Sequence, residues 1–189
     1  RYVESVVKEI FEKDIKKRVQ VRNKDTFDKM RTFLINNFGS TFSISSMLRE
    51  LKKQGVNVKR ETLKRYIDIL LDAKILYECR RFDLKSRKSL QGEEKFYLAD
   101  LSFYFTLNVD NRINYGPVLE NIVYQYMRSK DYEVSVGRIG NLECDFLIRS
   151  PEMEYSYVQV AMTIMNDEKT EDREYRALEA IRDNYPKYI

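Results

Sequence analysis

The chain has 189 residues and no histidine, which excludes a His-based catalytic triad and, with two cysteines and no CxxC pair, the usual zinc sites. Its 43% hydrophobic and 13% aromatic content supports packed cores in one or two domains and excludes a disordered chain. The net charge of +4 conceals a division: residues 1–90 hold 23 basic and 12 acidic side chains, against 11 and 18 in residues 91–189, so the first half is expected to meet a polyanion.

Val3, Val6, Val7, Ile10, Phe11, Ile15 and Val19 recur at helical spacing and predict an amphipathic helix. Its other side carries Lys8, Lys13, Lys16 and Lys17, but Glu4, Glu9, Glu12 and Asp14 interrupt the charge, so a helix packing on its neighbours is expected rather than a membrane-lying one. Three more helices follow. Asp25 is the expected cap of one carrying Phe27, Met30, Phe33 and Leu34 and ending before Gly39. Ser43 is the expected cap of a second, through Met47, Leu48 and Leu51 to Gly55. The third runs from about Lys59 to Ala73, with Leu63, Tyr66, Ile67, Leu70 and Leu71 inward. The short link Gly55-Val56-Asn57-Val58 suits a helix-turn-helix. A strand over Ile75–Phe82, a polar loop from Asp83 to Glu93 and a returning strand at Lys95–Leu98 complete the pattern of a winged helix.

Lys59, Arg60, Lys64 and Arg65 on the third helix, with Arg80, Arg81, Lys85, Arg87 and Lys88 on the wing, are the candidate nucleic-acid contacts. Recognition helices enter the major groove and wing cations reach phosphates. The helix offers no Asn or Gln to read bases, so binding without strong sequence preference is expected. The plainer readings are a solvated charged face or a protein-docking winged helix.

Residues 103–114 read as a linker. Pro117, in a first helical turn, then begins a helix bearing Glu120. A strand at Tyr132–Val136 leads into two more, Leu142–Ile148 with Asp145 inside and Glu154–Met162 with Gln159 inside, parted by Pro151. From Thr170 an amphipathic helix carries Tyr175, Leu178 and Ile181. The order α-β-β-β-α predicts helices covering a sheet. The fold expected is thus α/β (α+β), with a winged-helix domain at 1–100 and an α/β domain at 101–189. Alternation in the last strand sets Tyr155, Tyr157 and Gln159 on one face, which suits self-association if exposed.

A helical Glu, a strand Asp and then a pair spaced by two resemble the core of the PD-(D/E)xK (restriction-endonuclease-like) nucleases. Where that core has Asp/Glu-x-Lys, this chain has Gln159-Val160-Ala161, so the resemblance is to a degenerate member. It implies a vestigial site of Glu120, Asp145, Gln159 and Ala161, with weak metal binding at Glu120 and Asp145 and no useful cleavage. Lys169 is the candidate to replace the missing lysine, and a buried Asp145 hydrogen-bonded to backbone or to Arg138 is the plainer reading. The run Lys95-Phe96-Tyr97-Leu98-Ala99-Asp100, then Leu119-Glu120-Asn121, Glu143-Cys144-Asp145-Phe146 and the final Tyr185-Pro186-Lys187-Tyr188, is similar to the C-terminal half of a large family of bacterial and archaeal AAA+-type ATPases. That resemblance implies a fragment of a longer protein, an expectation also drawn from the helix already under way at Arg1. The parent is expected to bind ATP and Mg²⁺ through a P-loop domain; the fragment, without G-x-x-x-x-G-K-[ST], is expected to need no cofactor. Two functions follow: a non-catalytic module of the ATPase binding DNA, its own ATPase domain or a second copy, or a metal-dependent nuclease resembling Holliday-junction resolvases with an atypical site. With separated cysteines and no apolar run of spanning length, the expected setting is cytoplasmic, without a membrane partner.

Overall fold

In the computed structural model, which describes residues 2–15, 23–107, 113–162 and 175–189, helices dominate early in the chain and strands late, an α+β arrangement. The chain divides into two compact units, each assembled from two stretches: Arg1–Glu78 with Phe96–Ile113, and Cys79–Lys95 with Asn114–Ile189. This differs from a cut at residue 100. The chain leaves the first unit inside strand β2 (Leu76–Asp83) and returns inside β3 (Lys88–Leu98). The cause is that the distal half of β2 pairs in parallel with β4 (Glu133–Ile139), through Arg81↔Val136, Phe82↔Gly137 and Asp83↔Arg138.

The first unit opens with α1 (Tyr2–Glu9), which continues as a π-helical segment, Ile10–Ile15. Val7, Phe11 and Ile15 are buried, whereas Val3 and Val6 are exposed. The four-residue spacing of Phe11 and Ile15 suits the wider π turn. Val19, Lys16 and Lys17 lie outside the described residues. Helix α2 (Lys24–Asn36) is capped by Asn23, whose Oδ1 accepts from the Thr26 amide at 3.0 Å. The expected cap, Asp25, instead sits in the first turn and pairs with Lys29 at 2.8 Å. After a two-residue strand β1 (Thr41–Phe42), Ser43 caps α3 (Ile44–Lys53) by accepting from Ser46 N. Helix α4 (Arg60–Asp72) buries Leu63, Tyr66, Ile67 and Leu70, and Tyr66 meets Phe27 edge to face at 5.2 Å. Residues expected in a linker form α5 (Ser102–Leu107), which packs Phe103 on Phe11 and Tyr104 on Phe38; residues 108–112 of that stretch lie outside the described set.

In the second unit the strand order is β3-β2-β4-β5-β6-β7, with β5 at Leu142–Arg149, β6 at Tyr155–Val158 and β7 at Lys187–Tyr188. The expected wing loop shrinks to a tight turn, because the Asp83 carboxylate accepts from the Lys85 and Ser86 amides at 2.8 and 3.1 Å and Arg87 takes a left-handed φ of 54°. Strands β4 and β5 are antiparallel, and between the pairs Ser135↔Leu147 and Gly137↔Cys144 their register shifts. One residue of β4, Val136, therefore faces two of β5, Asp145 and Phe146. Such a bulge interrupts strict alternation and re-aims side chains. Cys144 and Leu147 share one face with Tyr157, Leu178 and Ile181. Phe146 meets Tyr124 of α6 (Tyr115–Ser129), ring centroids 6.1 Å apart, on the other. Residues 175–180 are helical; the expected start at Thr170 lies outside the described residues.

Candidate functional site

Lys95 ends the stretch of β3 that belongs to the second unit, and its side chain is only 5% exposed. Its Nζ lies 2.8 Å from Glu143 Oε1 and 3.3 Å from Glu120 Oε2. Glu143 Oε2 in turn accepts from Arg81 Nη2 at 2.5 Å. A lysine from β3, an arginine from β2, a glutamate from β5 and a glutamate from α6 thus form one chain of ion pairs. Burial by itself would lower the Lys95 pKa, but the charges of Glu120 and Glu143 outweigh it and hold the pKa above its ordinary value. Lys95 is an ammonium, locked in place.

Asp145 completes the cluster. It is buried, and Oδ2 accepts from the Val160 amide at 2.8 Å. Burial, then the charge of Glu120, push its pKa up to about 7, against the opposing pull of the Val160 N–H and Lys95. Gln159 is buried too, but its Oε1 accepts from the Asp145 amide at 3.2 Å, and its own N–H donates to Tyr188 O at 2.9 Å. Two bonds to side chains, at Gln159 Oε1 and Asp145 Oδ2, and the backbone bond from Gln159 N to Tyr188 O take over where β6 stops, four residues short of the expected Met162. Asp145 thus lies beside Gln159 and near enough to Glu120 to feel its charge, while Ala161 adds no polar group. Lys169 lies outside the described residues.

Sequence reasoning gave Lys95 and Glu143 no role in the site and gave Arg81 a different one. Glu143 was open to discovery, since it lies two residues from Asp145 on an alternating strand. Lys95 announces itself only as a cation heading the apolar run Phe96-Tyr97-Leu98. Arg81 was expected to reach nucleic acid, and that is corrected: it is 8% exposed and held by Glu143. The cluster does not fit Mg²⁺, which needs near-octahedral oxygen donors. The ammonium of Lys95 bridges Glu120 and Glu143, and a backbone amide and a glutamine amide flank Asp145. Among the described residues no group of three or more acids or cysteines is placed to hold a metal.

The other cationic candidates divide between the units. Lys59, Arg60, Lys64 and Arg65 are exposed on α4 in the first unit, with Arg60 Nη1 3.3 Å from Ser45 Oγ. Arg80, Lys85, Arg87 and Lys88 are exposed in the second. The Tyr155–Tyr157–Gln159 face is corrected as a self-association surface. Tyr157 is 3% exposed beneath Leu178 and Ile181 and donates from its hydroxyl to Asp183 Oδ2 at 2.6 Å. Tyr155 faces Tyr185 at 5.5 Å. The chain's own C-terminal residues cover that face.

Residues 1–113 match the family described as a domain of unknown function, DUF8612. The match ends where the first unit ends. An uncharacterized protein of Haemophilus influenzae is 28% identical over 93% of this chain and 43% of its own length. An uncharacterized protein of Methanocaldococcus jannaschii is 28% identical over 92% of this chain and 39% of its own length. The chain thus spans about two-fifths of the curated relatives it matches. No solved structure matches it.

Proposed function

We propose that this chain, which belongs to the DUF8612 family through residues 1–113, is a non-catalytic DNA-binding module carried at the C-terminal end of an AAA+-type ATPase in the cytoplasm. The observation that carries the reading is the outer face of α4, where Lys59, Arg60, Lys64 and Arg65 are exposed and none is held by an acid among the described residues. The order helix, short strand, two helices and two strands from Lys24 to Leu98 supports α4 as the recognition helix of a winged helix. In the second unit the acids of a nuclease-like cluster are neutralised by Lys95 and Arg81, which supports a scaffold. ATP and Mg²⁺ belong, on this reading, to the parent protein's own nucleotide-binding domain.

The test is fluorescence anisotropy on duplex DNA across a salt series. About five phosphate contacts give a log–log slope of about −4 to −5. Replacing Lys64 and Arg65 by Ala should weaken binding similarly for every sequence. Salt-independent binding, or none at low salt, would leave protein docking in its place.

One observation favours a nuclease instead. Lys95 brings to Asp145 the cation that position 161 lacks, its charge being felt by the Asp145 carboxyl. Incubation with Mg²⁺ or Mn²⁺ and labelled branched, duplex or single-stranded DNA decides between the two readings. Cleavage lost in Asp145→Ala and in Lys95→Met would establish the nuclease; no cleavage is expected.

A further inference from the structure

Within the second unit lies an open cleft of about 800 Å³, the size of a small-molecule site. Its walls are the β2–β3 turn, the β4–β5 turn and residues 179–183, where the helix ends. Three cations converge on it, Lys85 and Arg87 from the first wall and Arg182 from the last. None of the three forms a salt bridge among the described residues, although the Asp83 carboxylate, held by its own turn, stands near enough to Lys85 for their charges to interact. That sets them apart from Lys95 and Arg81 of the buried cluster, each of which has its carboxylate. Of the two acids lining the cleft, Asp183 is already engaged by the Tyr157 hydroxyl at 2.6 Å and the Tyr185 amide at 3.2 Å. Among the lining residues that leaves Glu179 against three positive charges, with Asp83 beside Lys85 just outside the lining.

The backbone is shaped to keep the cations close. Gly140 has φ +61°, and a Cβ there would stand 3.7 Å from Lys85 Nζ, so the lysine lies over a bare turn. Arg138 Nε holds that turn by donating to Gly140 O at 3.0 Å. The floor is aliphatic, from Leu84, Ile139, Leu142 and Ile181, with no aromatic ring among the lining residues. It offers apolar contact but no stacking, so recognition has to come from the anion. Three cations on one cleft repel one another, and a multiply charged anion relieves that repulsion while accepting several charge-assisted hydrogen bonds.

We propose that this cleft binds a phosphate-bearing ligand, the phosphates held by Lys85, Arg87 and Arg182 and the adjoining moiety lying on the aliphatic floor. A free nucleotide and the phosphorylated end of a nucleic-acid strand share that chemistry. This goes beyond the duplex-backbone reading of α4 and does not depend on it.

The experiment is calorimetric titration of the full chain, in chelator and low salt, with a nucleoside triphosphate and, separately, with a 5′-phosphorylated and a 5′-hydroxyl single strand. Binding of the triphosphate identifies a nucleotide site; preference for the phosphorylated strand identifies a strand-end site. In either case Arg182→Gln should weaken binding about tenfold, the loss of one charge-assisted hydrogen bond, and Arg182→Lys should recover part of it. The Lys64→Ala/Arg65→Ala variant should bind these probes as the parent does, which separates failure here from failure of the duplex reading. Absence of binding by all three probes, or affinity unchanged in Arg182→Gln with the fold intact by circular dichroism, overturns the proposal.

Discussion

Lys95 holds two acids that would otherwise repel. With Glu120 and Glu143 only 18% and 27% exposed at their side chains, removing the ammonium leaves negative charge in poor contact with water. Lys95→Met should therefore cost about 3 kcal/mol, the lower end for breaking a buried pair by deleting one partner. Adding Glu120→Gln should recover part of that loss. Urea denaturation midpoints measure both. Asp145 gives the stability of the chain a pH dependence. Its pKa near 7 in the folded chain exceeds the value of about 3.9 in an unfolded one. Between the two, the folded state holds the extra proton, so its contribution is full below about pH 4 and is lost as pH rises through 7. The slope is at most about 1.4 kcal/mol per pH unit, and Glu120, Glu143 and Lys95 are the charges that set it. Asp145→Asn should flatten the profile between pH 4 and 7; an unchanged profile would mean that the carboxyl is ionised throughout.

At the scale of elements, periodicity is what made the fold legible. Helices α2, α3 and α4 were readable because their apolar residues repeat every three or four positions and turn residues bracket them. Ser43 was a readable cap; Asn23 was not, since Asp25 competes for the same role two residues later. Replacing Asn23 or Ser43 by Ala should each lower stability by about 1 kcal/mol, measurable by thermal melts, and Asp25→Ala should do less because Asp25 is exposed in its ion pair with Lys29. The bulge in β5 was not legible, because an inserted residue leaves no mark on composition. Yet it puts Asp145 beside Phe146 against α6 and frees Cys144 and Leu147 for the opposite core. Strand β7 escaped for a different reason. Two residues have no period, and Lys187–Tyr188 is set in place by pairing with Tyr157 and Val158.

For the molecule as a whole, a boundary at residue 100 fits the sequence because the helical pattern gives way to a strand-rich one nearby. It misses that one hairpin serves two cores. Sequence periodicity reports which face of a strand is buried, but not that the burying partner changes halfway along it. A fragment of residues 1–100 lacks α5, and with it the rings that pack on Phe11 and Phe38. A fragment of residues 101–189 lacks Lys95 and Arg81. Neither should give dispersed amide spectra in solution, whereas residues 1–113 should retain most of the helicity of the first unit by circular dichroism. A well-folded 101–189 fragment would mean that the ion-pair chain is dispensable.

The interleaving also sets an order of events on the ribosome. The first unit owns all of its residues once position 113 has been made, and domains form as units while synthesis proceeds. The second must wait for residues 187 and 188, since β6 gains β7 only at Lys187–Tyr188. In that interval the hairpin emerges with Lys95 and Arg81 still in water, their acids on α6 and β5 not yet translated or not yet folded. A nascent chain arrested in this window carries a finished helical unit and a hairpin whose Lys95 and Arg81 still await Glu120 and Glu143.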